Sequence, residues 1–454
     1  MLGAILEATN IPYHILERAT EFRPLGSIIS LTGDILLVFK QLGIYDELKK
    51  VSLPTVAMDM FDTELNASGS LPAKHLKIAC GDDPLVHTRP KLSNLLRQKV
   101  PAHKISMGKK VLCAKEYDNK VTVYCSDNTI YECSILVGAD GAYSAVRQNM
   151  HKELEEKGNL PLGDKDAFSI GYINMVGIST PSSPEKYPEL GDKTRSHSRL
   201  VMGDNDDSCY VASVSDNQFC WAIRIQLSED KAKELHFRNS EWGPESVEPM
   251  LKKYRDFSCA FGGTMKEIFD STPKNLISKV FLEEKVFRTW YHGRSVLIGD
   301  GAAMAMKVAV VLVNCIYNMR DKSDKSVKAA FASYYRQRHH EAEEMVKGSA
   351  FLTNVMNGHV SWKQTPFPDE HKLKELTPLI KPGSVLQFLP GAGQGAAMAM
   401  KDAVVLANCL YNMRDKSTMS ITSTLAEYYR QHYSEANIVI KNSDIYTKMM
   451  FGYK

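Results

Sequence analysis

The spacing of apolar and polar positions changes character several times along the chain. Residues 1–9 carry apolar side chains at helical spacing, and residues 11–17 form a short apolar stretch that predicts a strand ending on an acid. Residues 110–137 alternate in a β-branched pattern that is interrupted by Asp118-Asn119 and Asp127-Asn128, two pairs typical of hairpin turns. This succession of elements predicts an α/β protein.

The remaining pattern adds more strands and then helices. Residues 166–226 predict strands, residues 228–270 predict helices, and residues 280–298 return to a strand that runs into Gly299-Asp300. Residues 301–358 again have helical spacing.

An internal repeat follows towards the C-terminus. Residues 301–323 recur at 395–417 with three differences, where Val308, Val313 and Ile316 are replaced by Asp402, Ala407 and Leu410. Two copies are too few for a solenoid. The repeat therefore predicts a duplicated C-terminal helical segment of one fold.

The composition limits the classes of molecule that the protein could bind. The chain has 454 residues, of which 44% are hydrophobic and 24% charged, and this is ordinary globular composition. A net charge of +3 supplies no basic field for nucleic acid. No apolar run approaches the roughly 20 residues of a transmembrane helix, and the start lacks the basic region of a secretory signal. We expect a cytoplasmic protein, with peripheral membrane contact left open, and a small-molecule partner.

The residues that could bind a ligand stand at the ends of predicted strands. Glu17 ends the first strand, where the acid of a dinucleotide-binding unit binds ribose hydroxyls, although a solvated glutamate is the alternative. Residues 138–147 read GADGAYSAVR, and residues 296–300 read VLIGD. The nine cysteines show no metal-ligand spacing, so no metal site is expected.

Together these segments resemble the flavin-dependent aromatic hydroxylases, and most closely the fungal FAD monooxygenases of secondary metabolism. The resemblance covers residues 1 to about 360 and resumes near residue 386. It implies an α/β fold with a Rossmann-like, glutathione-reductase-type FAD-binding domain, an inserted mixed β-sheet substrate domain and C-terminal helices.

The resemblance also implies which residues bind the cofactor. GADGAYSAVR matches the family motif that helps to hold the flavin and the nicotinamide donor, and VLIGD matches the motif whose Asp binds the ribitol chain. The predicted FAD-binding residues are Glu17, Gly26, Ser30, Arg89, Asp140, Gly141, Arg147, Gly299, Asp300, Pro390, Gly391, Gly393 and Ala396.

The sequence departs from the family pattern at two places. No strand with a GxGxxG turn precedes Leu2, so weak FAD affinity is expected. The Pro-Gly-rich loop that normally follows the Gly-Asp motif stands at 389–395, in front of the second copy. The predicted division of the chain is 1–150 as the first FAD-binding segment, 151–285 as the substrate-side sheet, 286–358 as the second FAD-binding segment with C-terminal helices, 359–390 as a connector, and 391–454 as the duplicated segment.

The implied function is that of an FAD-dependent monooxygenase, with full or impaired activity. NAD(P)H would be the electron donor, and O2 the source of an oxygen atom that hydroxylates or epoxidises an aromatic or terpenoid small molecule. No catalytic residue is identified. Tyr210, Phe219 and Trp221 are candidate pocket residues, with burial in the core as the alternative. Two other functions stay open, namely a degenerate flavoprotein fold without catalysis and an FAD-dependent prenyl reductase.

Overall fold

The computed structural model describes most of the first 298 residues and some of the following segment. The described residues are 1–74, 77, 82–117, 120–203, 207–228, 247–298, 312, 315–316, 319, 321–336 and 338–339.

The described structure contains more strands than helices. Their bounds are β1 (Ile15–Leu16), β2 (Ile28–Leu31), β3 (Leu53–Phe61), β4 (Ala67–Pro72), β5 (Leu85–Thr88), β6 (Ile105–Ser106), β7 (Val111–Tyr117), β8 (Lys120–Cys125), β9 (Ile130–Cys133), β10 (Leu136–Gly138), β11 (Ser169–Ile178), β12 (Ser196–Met202), β13 (Asp207–Val214), β14 (Gln218–Gln226), β15 (Ser278–Glu284), β16 (Tyr291–His292) and β17 (Ser295–Leu297).

The helices are short, and most of them pack through apolar faces. Their bounds are α1 (Leu2–Ala8), α2 (Gly33–Gln41), α3 (Tyr45–Lys50), α4 (Arg89–Arg97), α5 (Ala145–Glu156), α6 (Leu162–Lys165), α7 (Glu248–Tyr254) and α8 (Met265–Asp270), and residues 324–336 are also helical. In α5 the buried apolar residues Val146, Met150 and Leu154 recur every four positions, which places them on one face.

A nine-stranded mixed sheet dominates the molecule. Its order is β15-β11-β14-β13-β12-β3-β5-β2, and β4 pairs with β3 at the side. One face packs against α7 and α8 in a core that includes Met175, Phe219 and Trp221. A Cβ on Gly177 would lie 2.6 Å from the Trp221 ring, so the packing of this ring requires glycine there. Mixed α/β architecture is therefore confirmed.

The large sheet crosses the predicted domain boundary at residue 150. β3 pairs in parallel with β12, with Met60 opposite Leu200, although the two strands are far apart in sequence. β2, β4 and β5 extend the same sheet. Residues 28–88 thus contribute strands to the large sheet, which the sequence analysis predicted from residues 151–285. Strands pair where their edges fit each other, whatever their order along the chain.

Two small sheets contain parallel pairs. β1 pairs in parallel with β6, and β10 pairs in parallel with β17, which in turn pairs with β16. Ile298 N donates to Gly138 O at 2.9 Å, so the chain before Gly299 runs beside the chain before Asp140. The β10–β17 pair brings together the two strand ends that precede the predicted cofactor motifs.

Several local predictions are confirmed. α1 forms at the predicted place, and the hairpin β8–β9 turns through Asn128, whose φ is 64°. The strand predicted for residues 11–17 is shorter and comprises Ile15–Leu16. Asp118-Asn119, residues 229–246, most of residues 301–323 and all of residues 395–417 lie outside the described residues. Among the residues that the structure describes, no helix has the length and hydrophobicity needed to span a bilayer.

Candidate functional site

Two of the predicted acids follow the carboxyl ends of parallel strands. Glu17 comes directly after β1, where its N–H donates to Ser106 O at 2.9 Å and its Oε1 accepts from Ala19 N at 2.8 Å. Asp140 comes two residues after β10. Ligands of open parallel sheets bind at this end of the strands. The position of both carboxylates is therefore one at which a dinucleotide is commonly held.

The carboxylate of Asp140 also organises the start of α5. Asp140 Oδ1 accepts from the Ser144 hydroxyl, and Oδ2 accepts from Ala145 N at 2.7 Å and from Val146 N at 3.3 Å. Ser144 is the N-cap, and its Oγ accepts from Arg147 N at 3.0 Å. Two side chains thus satisfy N–H groups at the start of one helix, which have no partner within the helix itself.

Arg147 is buried and points into aromatic packing. Its guanidinium carbon lies 4.2 Å from the centre of the Phe287 ring and 5.5 Å from that of Phe168, and Nη2 donates to Ala142 O. A guanidinium on an aromatic face gains cation–π stabilisation. Gly141, with φ of +82°, makes the turn that allows this arrangement. Arg147 therefore fixes the backbone of the motif, and its predicted contact with the cofactor stays a prediction.

Gly26 and Arg89 are in direct contact. Gly26 has φ of +110°, and a Cβ placed there would lie 2.7 Å from Arg89 Cδ. Arg89 N donates to Ser27 O at 2.8 Å, which joins the loop to the first residue of α4. The exposed Arg89 guanidinium makes no hydrogen bond or ion pair with other described residues. Ser30 lies nearby in β2, paired with Val86.

Large apolar side chains are exposed next to these motif residues. Phe22 and Leu25, just before Gly26, are 44% and 38% exposed, and Tyr143, within the second motif, is 53% exposed. Exposed apolar groups beside groups that can form hydrogen bonds are typical of ligand sites.

The other predicted site residues divide into two groups. Gly299, Asp300, Pro390, Gly391, Gly393 and Ala396 lie outside the described residues. Among the candidate pocket aromatics, Phe219 and Trp221 are fully buried in the core on one face of the sheet, whereas Tyr210 lies on the other face. Phe219 and Trp221 thus follow the alternative that the sequence left open, burial in the core, because their face of the sheet packs against α7 and α8. The sequence analysis did not single out Ser27, since only the tertiary structure places it against β14.

Substitution of Asp140 by Ala should lower the free energy of unfolding by about 1 kcal/mol, because α5 loses the acceptor of two backbone N–H groups. Asp140→Asn keeps one acceptor oxygen and should recover most of the loss. Urea unfolding of both variants measures the difference. Asp256→Ala is the control, since Asp256 is an exposed aspartate without a hydrogen bond to described residues. Equal losses for Asp140→Ala and Asp256→Ala would contradict the capping role.

The described residues fit FAD in the chemistry of their groups. The exposed Arg89 guanidinium suits a diphosphate, since its planar fork matches phosphate oxygens. Glu17 suits ribose hydroxyls. The backbone at Gly26 approaches the Arg89 side chain so closely that no larger residue fits without moving it. These groups would hold the adenosine ribose and the diphosphate of FAD.

Comparison with known proteins supports the same conclusion. No family model matches the chain. Over 380 residues it is 26% identical to the FAD-dependent monooxygenase verC1 of Penicillium polonicum, covering 78% of this chain but only 45% of that protein. Over 351 residues it is 25% identical to the FAD-dependent monooxygenase ausM of Penicillium brasilianum, covering 73% of this chain and 70% of the relative. The chain thus spans less than half the length of one of these relatives.

The fold also matches solved structures. HpxO from Klebsiella pneumoniae, solved with FAD and uric acid, superimposes with a TM-score of 0.61 at 17% identity, covering 89% of this chain and 94% of that one. At this identity the match shows the fold alone. The resemblance indicated by the sequence motifs is therefore confirmed: the relatives of this chain are fungal FAD-dependent monooxygenases, and its fold is that of the FAD-binding hydroxylases.

Proposed function

We propose that this chain binds FAD and uses it to transfer one oxygen atom to a small organic molecule, as its relatives' names describe. The observation that carries the proposal is the contact of Gly26 with Arg89, where a backbone conformation that favours glycine lies against a side chain whose exposed guanidinium is available to a phosphate. The fungal relatives agree with this assignment and with a substrate from secondary metabolism.

Each described element has a distinct task in this function. Glu17 accepts hydrogen bonds from ribose hydroxyls, and Arg89 neutralises diphosphate charge. Asp140 and Ser144 fix the turn at Gly141, which keeps backbone groups of the motif in place for the cofactor. FAD itself supplies the redox chemistry, with NAD(P)H as the electron donor and O2 as the oxidant. The protein binds, orients and shields the reactants.

The proposal is tested by titrating the purified full chain with FAD and following flavin fluorescence. We expect saturable binding, and Arg89→Met should raise the Kd about tenfold because a charge-assisted contact is lost. Arg255→Met is the control: it removes an arginine that pairs with Asp270 of α8 and contacts none of the predicted cofactor residues. Its Kd should be close to that of the wild type. Absence of saturable FAD binding would favour the degenerate flavoprotein fold.

A second measurement separates the monooxygenase from a reductase. With FAD bound, NADPH or NADH oxidation should consume O2, which an oxygen electrode records. NAD(P)H oxidation that requires no oxygen would favour the FAD-dependent prenyl reductase.

A further inference from the structure

A buried carboxylate outside the predicted cofactor residues joins two segments that are distant in sequence. Asp164, in α6, is 5% exposed. Its Oδ1 accepts from Arg288 N at 2.7 Å, and its Oδ2 accepts from Thr289 N at 2.8 Å. Each oxygen of one side chain thus binds one of two successive backbone N–H groups. These two bonds fix the backbone that directly follows Phe287.

Phe287 is the ring that this backbone carries. It is buried, and the guanidinium carbon of Arg147 lies 4.2 Å from the ring centre. Lys285 Nζ lies 4.8 Å from the same centre. The imidazole of His151, one turn after Arg147 in α5, meets the ring edge-on with 5.6 Å between the two centres. Phe287 therefore connects α5 with the segment that leads into β16 and β17.

Two cations on one ring repel each other, and Asp164 is a buried anion beside them. Burial lowers the pKa of Lys285, the carboxylates of Asp164 and Asp166 raise it, and the Arg147 charge lowers it. Lys285 Nζ also donates to Asp164 O at 3.1 Å and to Asp166 O. Each cation is attracted to the ring face, and a nearby carboxylate offsets the repulsion between the two. The negative charge of Asp164 therefore stabilises the arrangement, which a neutral amide of the same shape would not do.

His151 faces the same carboxylate without adding a third positive charge. Its Nε2 atom lies 3.9 Å from Asp164 Oδ2, is buried, and has no hydrogen-bond partner among the described residues. Burial lowers the pKa of His151 below its usual 6.5, so the ring is neutral at pH 7. The charge of Asp164 is thus available to Arg147 and Lys285.

Arg147 connects the Phe287 ring to the turn of the motif at residues 138–147. Its Nη2 donates to Ala142 O, and its backbone N donates to Ser144 Oγ at 3.0 Å. The guanidinium is a rigid planar group, so its position on the ring determines where Ala142 O is held. Displacement of the ring should therefore loosen the turn around Gly141.

We propose that Asp164 is a positioning residue for the cofactor. Through the backbone at Arg288 and Thr289 it holds Phe287 against Arg147, and it thereby fixes the turn of the motif at residues 138–147. This inference rests on the proposed function, since that turn belongs to the predicted FAD contacts. Asp164 itself is assigned no contact with FAD or with the substrate.

Hydrogen–deuterium exchange of the full chain without FAD, followed by mass spectrometry, tests this link. Asp164→Asn keeps the size of the side chain but removes its charge and one acceptor oxygen. Peptides that cover residues 141–147 should exchange about tenfold faster than in the wild type, because the turn opens more often. Phe287→Leu removes the ring and should have the same effect. The double variant should exchange little faster than either single variant, since both changes break one connection.

Asp207→Asn is the matched control. Asp207 is also buried, and its Oδ2 accepts from the Tyr254 hydroxyl at 2.7 Å, so this change removes a buried charge from a core on α7. Exchange of residues 141–147 should stay at the wild-type rate. Faster exchange confined to residues 162–165 and 285–290, or additive effects of Asp164→Asn and Phe287→Leu, would overturn the inference. If Asp164→Asn does not fold, wild-type exchange of residues 141–147 in Phe287→Leu would overturn it.

Titration with FAD distinguishes this inference from the proposed function. Asp164→Asn should raise the Kd for FAD about fivefold, whereas Asp207→Asn should leave it unchanged. Binding of FAD by the wild type with the same Kd in Asp164→Asn would overturn the inference and leave the proposed function intact. A wild type that binds no FAD would reject the proposed function, and the exchange measurement would still decide whether Asp164 fixes the turn.

Discussion

Gly26→Ala should raise the Kd for FAD about tenfold or more. The new Cβ would stand 2.7 Å from Arg89 Cδ, which is closer than van der Waals contact allows, so the Arg89 side chain must move. A displaced guanidinium loses charge-assisted hydrogen bonds to phosphate, and such bonds are worth about 1.5–3 kcal/mol. FAD titration followed by flavin fluorescence measures the effect.

Gly262→Ala is the control variant. It separates the backbone strain of an alanine at positive φ from the displacement of the Arg89 side chain. Gly262 has φ of +102°, close to that of Gly26, and a Cβ there meets no atom within 4 Å. Both variants should lose about 1–3 kcal/mol of stability through backbone strain. Only Gly26→Ala should weaken FAD binding, and adding Arg89→Met to it should produce little further loss. A full additional loss in the double variant would show that Gly26 acts independently of Arg89.

Acidification to about pH 5 should destabilise the fold by about 2 kcal/mol through His87 alone. His87 is fully buried in β5, and burial lowers its pKa from 6.5 to about 3. The folded state therefore stays neutral where the unfolded state takes up a proton. The stability contribution is fully present above pH 6.5 and is lost progressively as the pH falls from 6.5 towards 3, by about 1.4 kcal/mol per pH unit.

His87→Met tests this assignment because it fills the buried site with an uncharged side chain. Urea unfolding of the variant at pH 7 and pH 5 should show a pH dependence that is smaller than the wild type's by about 2 kcal/mol. His103→Gln removes an exposed histidine and should retain the wild-type pH dependence. An unchanged pH dependence in His87→Met would assign the acid sensitivity to other groups.

The surroundings of His87 could not be read from its neighbours in sequence. His87 Nδ1 lies 3.4 Å from Ser52 Oγ, and Nε2 is buried without a hydrogen-bond partner in the described regions of the chain. The residues on either side of His87 in the sequence do not indicate which elements cover this position. Arg89, two residues later, is exposed. His87 is buried and Arg89 is exposed because different elements of the tertiary structure pack around the two positions.

Features that depend on neighbouring residues follow from the local sequence alone. Ser144 caps α5 three residues before Arg147, the Asp127-Asn128 pair turns the hairpin, and α1 ends near Thr9. The motif spacing also identified the relatives and the fold. These features are local because helix capping, turn geometry and backbone strain act over a few residues.

The pairing of strands that are distant in sequence becomes visible in the three-dimensional structure. It paired β3 with β12, placed the Gly26 loop against Arg89 and β14, and set Arg224 opposite Asn174. It also separated Tyr210 from Trp221, which the sequence had grouped, by placing them on opposite faces. The physical reason is that a strand's partner, register and buried face depend on the edges and apolar surfaces supplied by remote segments, and no local pattern records them.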